Sequence, residues 1–456
     1  MRHHDREILA LALPAFGALV GAPLFLMVDS AIVGHLGTPQ LAGLGVAAAL
    51  LATSVNLFVF LAYATTAAVA RRVGAGDLRG AIRQGVDGLW LALLLGTVTA
   101  VAVIPTAPAL VGLFGASSTA APHAVTYLRI SALGIPPMLV VLAATGVLRG
   151  LQDTRTPLYV AVGGFTANAA LNAGLVYGAG LGIAGSAWGT VIAQAGMAAG
   201  YLTVVVKGAR RYGRDTAAGE GRQTPPGRAR PEWWAMLRPR PAGIRASATA
   251  GAPLLIRTLS LRAVLLVATA VAARLGDAEL AAHQIVLTLW NLLAFALDAI
   301  AIAGQAIIGR YLGAEDAQGA RAACRRMVQW GVVSGIVLGL VVAAARPLFV
   351  PLFTTDQAVR AELMATLLVV AVSQPVSGVV FVLDGVLMGA GDGPYLAAAM
   401  LGTLVIFLPA AYAVPLIGGG LVTLWWAMVL FMLSRMAFLW LRARSGKWIV
   451  TGAVRA

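Results

Sequence analysis

Twelve apolar runs, each long enough to cross a lipid bilayer, follow one another along this chain of 456 residues. A helix needs about 20 apolar residues to span the hydrocarbon core, and a backbone in lipid pairs all its polar groups only in helices or closed barrels. These runs are too long for barrel strands and do not alternate between apolar and polar residues. The sequence therefore predicts an all-α membrane protein. The predicted spans lie near residues 8–33, 41–70, 85–113, 123–150, 157–178, 182–207, 244–273, 279–309, 324–352, 360–390, 394–416 and 420–442.

The second half of the chain repeats the first at a constant spacing. Arg71 is matched 239 residues later by Arg310, and Asp153 is matched at the same spacing by Asp392. A spacing that persists over about a hundred residues predicts two copies of one six-helix bundle, related by a pseudo-twofold axis. Transporters built from such repeats bind their substrate near the bilayer midplane, where the two copies meet. The repeat therefore favours transport over a purely structural role.

Charge divides the chain into two lobes and sets their orientation. Residues 1–207 and 242–456 are predicted as the N-terminal and C-terminal six-helix lobes, and residues 208–241, which contain eight arginines, as the basic cytoplasmic linker. With twelve spans, this linker lies on the same side of the membrane as both termini and the other arginine-rich loops. The positive-inside rule assigns that side to the cytoplasm. The net charge of +15 then reflects topology rather than nucleic-acid binding. The preference for arginine over lysine suggests a GC-rich bacterial genome, and the expected location is the bacterial plasma (inner) membrane.

Asp29 is the only ionisable residue in the first span. A carboxyl group inside a membrane helix is costly and usually functional or paired. Pro14 lies 15 residues earlier, about 22 Å along the helix, and can bend it by removing a hydrogen bond. The hypothesis is that proton exchange at Asp29 changes this bend and the space in the cavity. The alternative is a carboxylate held by neighbouring hydroxyl groups near the outer interface.

The eighth helix carries four polar residues at intervals of seven. Seven residues are close to two helical turns, so all four lie on one face: Gln284, Asn291, Asp298 and Gln305. A polar stripe on an apolar membrane helix is expected to face protein or water. We predict that it lines a substrate or ion cavity with Asp298 at mid-depth. The alternative is hydrogen bonding that joins neighbouring helices.

Arg257 in the seventh helix and Asp384 in the tenth are further ionisable candidates. Arg257 is predicted to be a counter-ion, with Asp298 or Asp29 as its partner, that keeps a carboxylate ionised until substrate or a proton displaces it. Asp384 has Thr145 as its counterpart in the first half, so the two lobes differ chemically. Its position near the cytoplasmic end also fits a structural gate.

Two pairs of weaker polar candidates lie in the first half. Asn56 and Tyr63 are seven residues apart on the second helix, and Asn168 and Asn172 are four apart on the fifth. The members of each pair therefore share a helix face. Either pair can line a cavity in the first lobe, and hydrogen-bonded packing between helices explains them equally well.

The sequence offers no motif for enzymatic or cofactor chemistry. It contains no Walker motif, no His-Glu-x-x-His zinc motif and no nucleophile elbow, and its histidines lack the spacing of metal ligands. The single cysteine, Cys324, excludes an internal disulfide. We therefore expect no cofactor, no metal and no enzymatic activity. An ATP-driven pump, which needs a nucleotide-binding domain, is not expected either.

Four segments carry a resemblance to a known family. Residues 27–37 (MVDSAIVGHLG) resemble the first-helix signature of multidrug and toxic compound extrusion (MATE) transporters, and residues 148–157 (LRGLQDTRTP) resemble their loop after the fourth helix. Residues 294–298 (AFALD) and 381–387 (FVLDGVL) resemble the branch related to DNA-damage-inducible protein F. The resemblance implies twelve helices in two six-helix lobes arranged as a V, and cation-coupled drug efflux by rocker-switch alternation.

The resemblance also implies roles for three residues. Asp29 matches the first-helix aspartate to which proton coupling is attributed, and Arg257 matches a seventh-helix arginine of this branch. Asp384 matches an acidic site that other branches use in cation binding. The seventh helix lacks the glutamate of sodium-coupled and eukaryotic relatives, which favours protons. A proton-coupled antiporter for amphipathic or cationic organic compounds is therefore the leading interpretation.

Two alternatives stay open. A flippase for lipid-linked saccharides or other amphipathic lipids is expected to have a cavity rich in arginine and lysine for pyrophosphate, whereas three deep carboxylates here outnumber two deep arginines. These are Asp29, Asp298, Asp384, Arg257 and Arg262. A sodium-coupled drug antiporter is the other alternative. The expected partners are small organic substrates, the coupling ion and the lipid bilayer, without nucleic acid, and the expected state is a monomer.

Overall fold

The computed structural model describes residues 2–219 and 232–454, and every regular element in these ranges is a helix. A π-helical turn, Gly174–Gly178, follows the seventh α-helix, and a 3-10 helix, Glu232–Leu237, precedes the ninth. The α-helices are α1 (Arg2–Gly34), α2 (Thr38–Leu57), α3 (Phe60–Gly74), α4 (Leu78–Leu113), α5 (Ala121–Ala132), α6 (Ile135–Gly150), α7 (Arg155–Ala173), α8 (Gly182–Gly219), α9 (Pro241–Leu275), α10 (Asp277–Gly313), α11 (Ala317–Phe353), α12 (Gln357–Gly389), α13 (Gly393–Leu416) and α14 (Leu421–Ser445).

The helices confirm the predicted all-α membrane architecture. Within the described residues, ten helical segments are long and apolar enough to cross a membrane, and α5 with α6, bent by 51°, make an eleventh. One of the ten joins α2 and α3, which are interrupted at Phe58 and Val59. α1 coincides with the first predicted span, although the side chains of residues 22 and 24–26 lie outside the described part.

The repeat is visible at equivalent turns of the two halves. Asp77 precedes α4 and accepts a hydrogen bond from the Gly80 amide at 2.7 Å, and Asp316 precedes α11 and accepts one from the Gly319 amide at 2.7 Å. Each carboxylate satisfies an amide group that the helix start leaves unpaired. In the part of the chain that the structure describes, two helices differ in continuity between the halves. The helix α12 is continuous whereas its counterpart is the bent pair α5 and α6, and α10 is continuous whereas its counterpart is interrupted between α2 and α3.

The helices group into two compact units that exchange short segments. One unit consists of residues 17–251, and the other consists of residues 1–16 and 252–456. The predicted lobes 1–207 and 242–456 differ from these units because the start of α1 belongs with the second half of the chain and the start of α9 with the first. Pro14 and Pro253, which match at the repeat spacing, lie within two residues of these divisions.

Hydrogen bonds hold the exchanged segments in their units. At the start of α1, Asp5 accepts from Arg326 Nε at 2.5 Å and from Trp330 Nε1 at 2.9 Å. Near the start of α9, Gln84 Nε2 donates to Ser247 Oγ at 3.1 Å. The sequence analysis divided the chain at the basic linker, and no local signal marks these partners, which lie far apart in the chain.

The predicted basic linker is described only at its two ends. α8 continues to Gly219, beyond the predicted end of the span, and residues 220–231 lie outside the described residues. The 3-10 helix Glu232–Leu237 contacts α4 and α8. Trp90 Nε1 donates to the Leu237 carbonyl at 3.0 Å, and Met236 is buried. The end of the linker is therefore packed onto the unit formed by residues 17–251.

Candidate functional site

Asp29 is buried in the unit formed by residues 17–251, where it binds neutral side chains. Its relative exposure is 2%. Asn172 Nδ2 donates to Oδ1 at 2.7 Å, Ser186 Oγ donates to Oδ1 at 2.6 Å, and Tyr127 OH donates to Oδ2 at 3.2 Å. Among the described residues, no lysine or arginine pairs with this carboxylate. Hydrogen bonds alone thus hold both oxygens in place.

Helices α5, α7 and α8 bring these donors to α1. Asn172 lies near the end of α7, directly before the π-helical turn Gly174–Gly178, and such turns often occur at functional positions. A side chain at Gly189 would collide with Asn172, so this glycine allows α8 to approach α7 closely. The turn is tied back to α1 because Tyr177 OH donates to the Ile32 carbonyl at 2.6 Å.

A buried carboxyl group among neutral donors can be charge-balanced by a proton or by a bound cation. An unpaired ion in a low-dielectric interior costs on the order of several kcal/mol. The amide side chains nearby retain free acceptors, because the Oδ1 atoms of Asn168 and Asn172 have no partner among the described residues. Asn168 Nδ2 donates to Thr190 Oγ1 at 3.2 Å. The Asp29 site can therefore exchange one positive charge with its surroundings.

Asp384, in the other unit, is paired with two arginines. Arg257 donates from Nε to Oδ1 at 3.2 Å and from a terminal nitrogen to Oδ2, and Arg435 donates to Oδ2 at 2.6 Å. All three side chains are buried. Asp298 on α10 interacts electrostatically with Arg435. The predicted counter-ion Arg257 thus pairs with Asp384, a partner that the sequence analysis did not consider.

The polar stripe of α10 changes from exposed to buried along the helix. Gln284 and Asn291 are exposed, Asp298 is half-buried, and Gln305 is fully buried. Gln305 packs against α12, where its Nε2 lies 4.0 Å from Met388 Sδ. The structure therefore places Gln305 in the packing between two helices rather than on an exposed face, because α12 covers this end of α10.

The weaker candidate pairs lie in two different settings. Asn56 belongs to α2 and Tyr63 to α3, so the interruption of the span separates two residues that the sequence analysis placed on one helix. Both are half-buried. Asn168 and Asn172, by contrast, share a face of α7, and Asn172 contacts Asp29 directly. The structure thus brings Asn172 of the second pair to a buried carboxylate.

Sequence reasoning missed three residues of these two sites: Tyr127, Ser186 and Arg435. Arg435 lies within the last apolar span, where any ionisable residue is a signal, and its position alone was enough to identify it. Tyr127 and Ser186 carry no such signal, because hydroxyl groups are common in helix packing. With Arg435 there are three deep arginines for the three deep carboxylates counted from the sequence. The number of charges therefore no longer argues against a flippase.

Comparisons with known proteins cover almost the whole chain. The sequence profile of the family described as MatE matches residues 14–173 and 253–413. Protein DETOXIFICATION 44, chloroplastic, of Arabidopsis thaliana is 32% identical over 459 residues, covering 97% of this chain and 83% of that protein. DNA damage-inducible protein F of Escherichia coli strain K12 is 30% identical over 455 residues, covering 97% of this chain and 94% of that protein.

Solved structures share the fold. A mutant of the Vibrio cholerae MATE transporter VcmN superposes with a TM-score of 0.84 at 21% sequence identity, over 97% of each chain. A MOP superfamily transporter from Pyrococcus furiosus, described by a binding pocket of reverse polarity, superposes with a TM-score of 0.82 at 21% identity, over 97% of each chain. At this level of identity the likeness shows the fold alone. The two ranges that the MatE profile matches lie one in each repeat.

Proposed function

The chain belongs to the MatE family of membrane transporters, and we propose that it is a proton-coupled antiporter. It exports amphipathic, often cationic, organic compounds by alternating access. A relative named for detoxification supports an export role. The proposed location is a bacterial inner membrane with both termini in the cytoplasm, which the positive-inside rule and the Escherichia coli relative support.

The environment of Asp29 carries the proposal. This carboxylate is buried and held by Tyr127, Asn172 and Ser186, all of them neutral. A carboxyl group without a fixed counter-charge can accept a proton or a cationic substrate, but not both at once. Competition between the two ligands links the binding of one to the release of the other. Because Pro14 lies on the same helix, a change at Asp29 can alter the bend of α1.

The Asp384 cluster argues against sodium coupling at Asp384. Its carboxylate already has two buried arginines as partners, Arg257 and Arg435. A sodium ion at this position would meet two fixed positive charges, which disfavour it electrostatically. Asp29 is then the better candidate for the coupling site, and its three neutral donors suit a group that gains and loses a proton.

The test is efflux of a fluorescent cationic dye from proteoliposomes under an imposed pH gradient or an imposed sodium gradient. We expect the pH gradient alone to drive efflux of the wild-type protein, and Asp29→Asn to abolish it, because the amide cannot carry the proton. The exposed carboxylate Asp277 offers a matched control, and Asp277→Asn should transport dye like the wild type.

Each contrary outcome points to one alternative. Equal transport driven by sodium in the wild type would transfer the coupling role to a cation site such as Asp298. Efflux that Asp29→Asn leaves intact would remove Asp29 from the coupling step. If neither gradient moves dye while labelled lipid-linked saccharides cross the bilayer, the flippase alternative replaces drug export.

A further inference from the structure

A cavity lies at one end of the unit formed by residues 1–16 and 252–456. Its volume is about 650 Å³, and its walls come from α11, from α14 and from the segment that follows α14, with Leu383 of α12 on the inside. Trp448 is buried in the wall, and its Nε1 donates to the Ala443 carbonyl at 3.0 Å. Cavities of this size accommodate a small organic molecule or a lipid headgroup.

Three exposed arginines surround this cavity: Arg321, Arg325 and Arg444. Among the described residues none of them forms an ion pair with a carboxylate. The guanidinium of Arg444 stacks over the Trp440 ring at 5.0 Å, which places a cation beside an apolar aromatic surface. The cavity therefore combines tryptophan and leucine side chains with positive charge that forms no ion pair with a described carboxylate.

The other repeat lacks this arrangement. At the repeat spacing, the counterparts of Arg321, Arg325 and Arg444 are apolar and buried: Ile82, Val86 and Val205. There, the 3-10 helix Glu232–Leu237 covers the equivalent surface, because Trp90, which bonds to Leu237, is the counterpart of Gln329 in the cavity wall. The arginines are thus a property of the second repeat alone and not a requirement of the shared helix packing.

We propose that this cavity binds the phosphate headgroup of an anionic phospholipid from the membrane leaflet on the side of the basic loops. Arginine donates paired hydrogen bonds to phosphate oxygens, and basic pockets between membrane helices hold anionic headgroups in this way. Trp440 and Leu383 provide the apolar surface that an acyl chain needs. The site does not depend on which ion or substrate the transporter uses.

Cys324 supplies a reporter that the chain already contains. It is the single cysteine of the protein, and it lines the cavity with 8% of its surface exposed. A reagent such as N-ethylmaleimide therefore has to enter the cavity to alkylate it. A lipid headgroup in the same space should block that entry, with a protection that grows with lipid occupancy.

The experiment measures the alkylation rate of Cys324 in the full chain reconstituted in nanodiscs. We expect alkylation to be about tenfold slower in discs with phosphatidylglycerol than in discs of phosphatidylcholine alone. Inorganic phosphate or glycerol 3-phosphate added to phosphatidylcholine discs should give no such protection. Protection by soluble phosphate alone would overturn the lipid assignment and identify a soluble phosphate compound as the ligand.

Substitution of the arginines tests the same site through binding. Native mass spectrometry should show phosphatidylglycerol binding weakened about fivefold for each arginine replaced by glutamine, or roughly 100-fold in the variant R321Q/R325Q/R444Q, since each charge contributes about 1 kcal/mol. The control R6Q/R155Q/R245Q removes three exposed arginines outside the cavity. Equal losses in both variants would show non-specific attraction and overturn the proposal, as would equal Cys324 alkylation in both lipids.

Discussion

Asp29 in the unit formed by residues 17–251 and Asp384 in the other unit are both buried carboxylates, yet neutral donors surround the first and two arginines the second. A fixed counter-charge keeps a carboxylate ionised and costs free energy when it is removed, whereas neutral donors permit exchange. Two carboxylates that are buried to a similar degree can therefore serve different purposes, one to exchange a charge and the other to hold helices together.

A helix that supplies a donor to Asp29 and the helix that carries Asp384 also differ in how far they are buried. In the most apolar part of α12, the helix of Asp384, 72% of the residues are buried inside the protein. In the most apolar part of α7 and its π-helical turn, the helix of the donor Asn172, 17% of the residues are buried. The counterpart of α12 in the other repeat is bent by 51° between α5 and α6. Motion is easier where few contacts have to be broken, so the Asp29 side is better suited to conformational change.

The largest effect on stability is expected from Asp384→Asn. This change leaves Arg257 and Arg435 buried with one carboxylate fewer, and it should lower the free energy of unfolding by about 3–5 kcal/mol. Asp29→Asn, which strands no buried cation, should change it by no more than about 1 kcal/mol. The unfolding free energies of both variants are measured in mixed detergent micelles. Equal losses of stability would contradict the difference between the two sites.

The same comparison becomes sharper when the whole cluster is replaced. A triple variant with Asp384→Leu, Arg257→Met and Arg435→Met removes the carboxylate and both of its arginines together, so neither arginine is left buried without Asp384. It should recover most of the stability lost in Asp384→Asn. A triple variant that is less stable than Asp384→Asn would show that the ion pairs themselves hold α9, α12 and α14 together.

A smaller effect is expected from tighter packing in α12. A Cβ atom added at Gly378 would lie 2.7 Å from the Gly331 carbonyl carbon, so the backbones of α11 and α12 touch at this point. Gly378→Ala should therefore cost about 1–3 kcal/mol of unfolding free energy. Gly163→Ala on α7, where a Cβ meets open space, is the matched control and should be neutral or slightly stabilising. Equal losses would contradict the difference in rigidity.

The smallest effect concerns Asp5 outside the membrane. Hydrogen bonds from Arg326 and then Trp330 lower the pKa of this carboxyl from 3.8 to about 2 in the folded protein. Its stabilising contribution is therefore complete above pH 3.8 and disappears as the pH falls through about 2. The difference in melting temperature between the wild type and Asp5→Asn should be constant from pH 7 to pH 5 and shrink below pH 4. A difference that grows on acidification would contradict this sign.

The sequence predicts the spans and the repeat well, because both follow from hydrophobicity over many residues. Asp77 and Asp316 cap equivalent helices, as their spacing implies. Asp29, Asp384 and Arg257 stand out because an ion in lipid is costly wherever it occurs. These local signals reveal which residues are unusual without revealing their partners.

The partners come from tertiary packing, which a periodic pattern does not encode. Asp29 is separated by 98 residues from Tyr127 and by 157 from Ser186, and neither hydroxyl differs in sequence from one that merely packs. The sequence does not predict that the starts of α1 and α9 belong to the other unit, because this also depends on tertiary contacts. Arg435 is different, since its place in an apolar span made it visible without any structure.

The exchanged start of α1 has a consequence for the order of synthesis. Asp5 and Glu7 leave the ribosome before their partners Arg326 and Arg310, which follow 321 and 303 residues later. At roughly 5–20 residues per second this delay is about 15–60 s. The start of α1 therefore lacks these contacts until α10 and α11 have been synthesised. A chain that is truncated before α10 and α11 cannot complete this contact, so Asp5 and Glu7 lack these two partners.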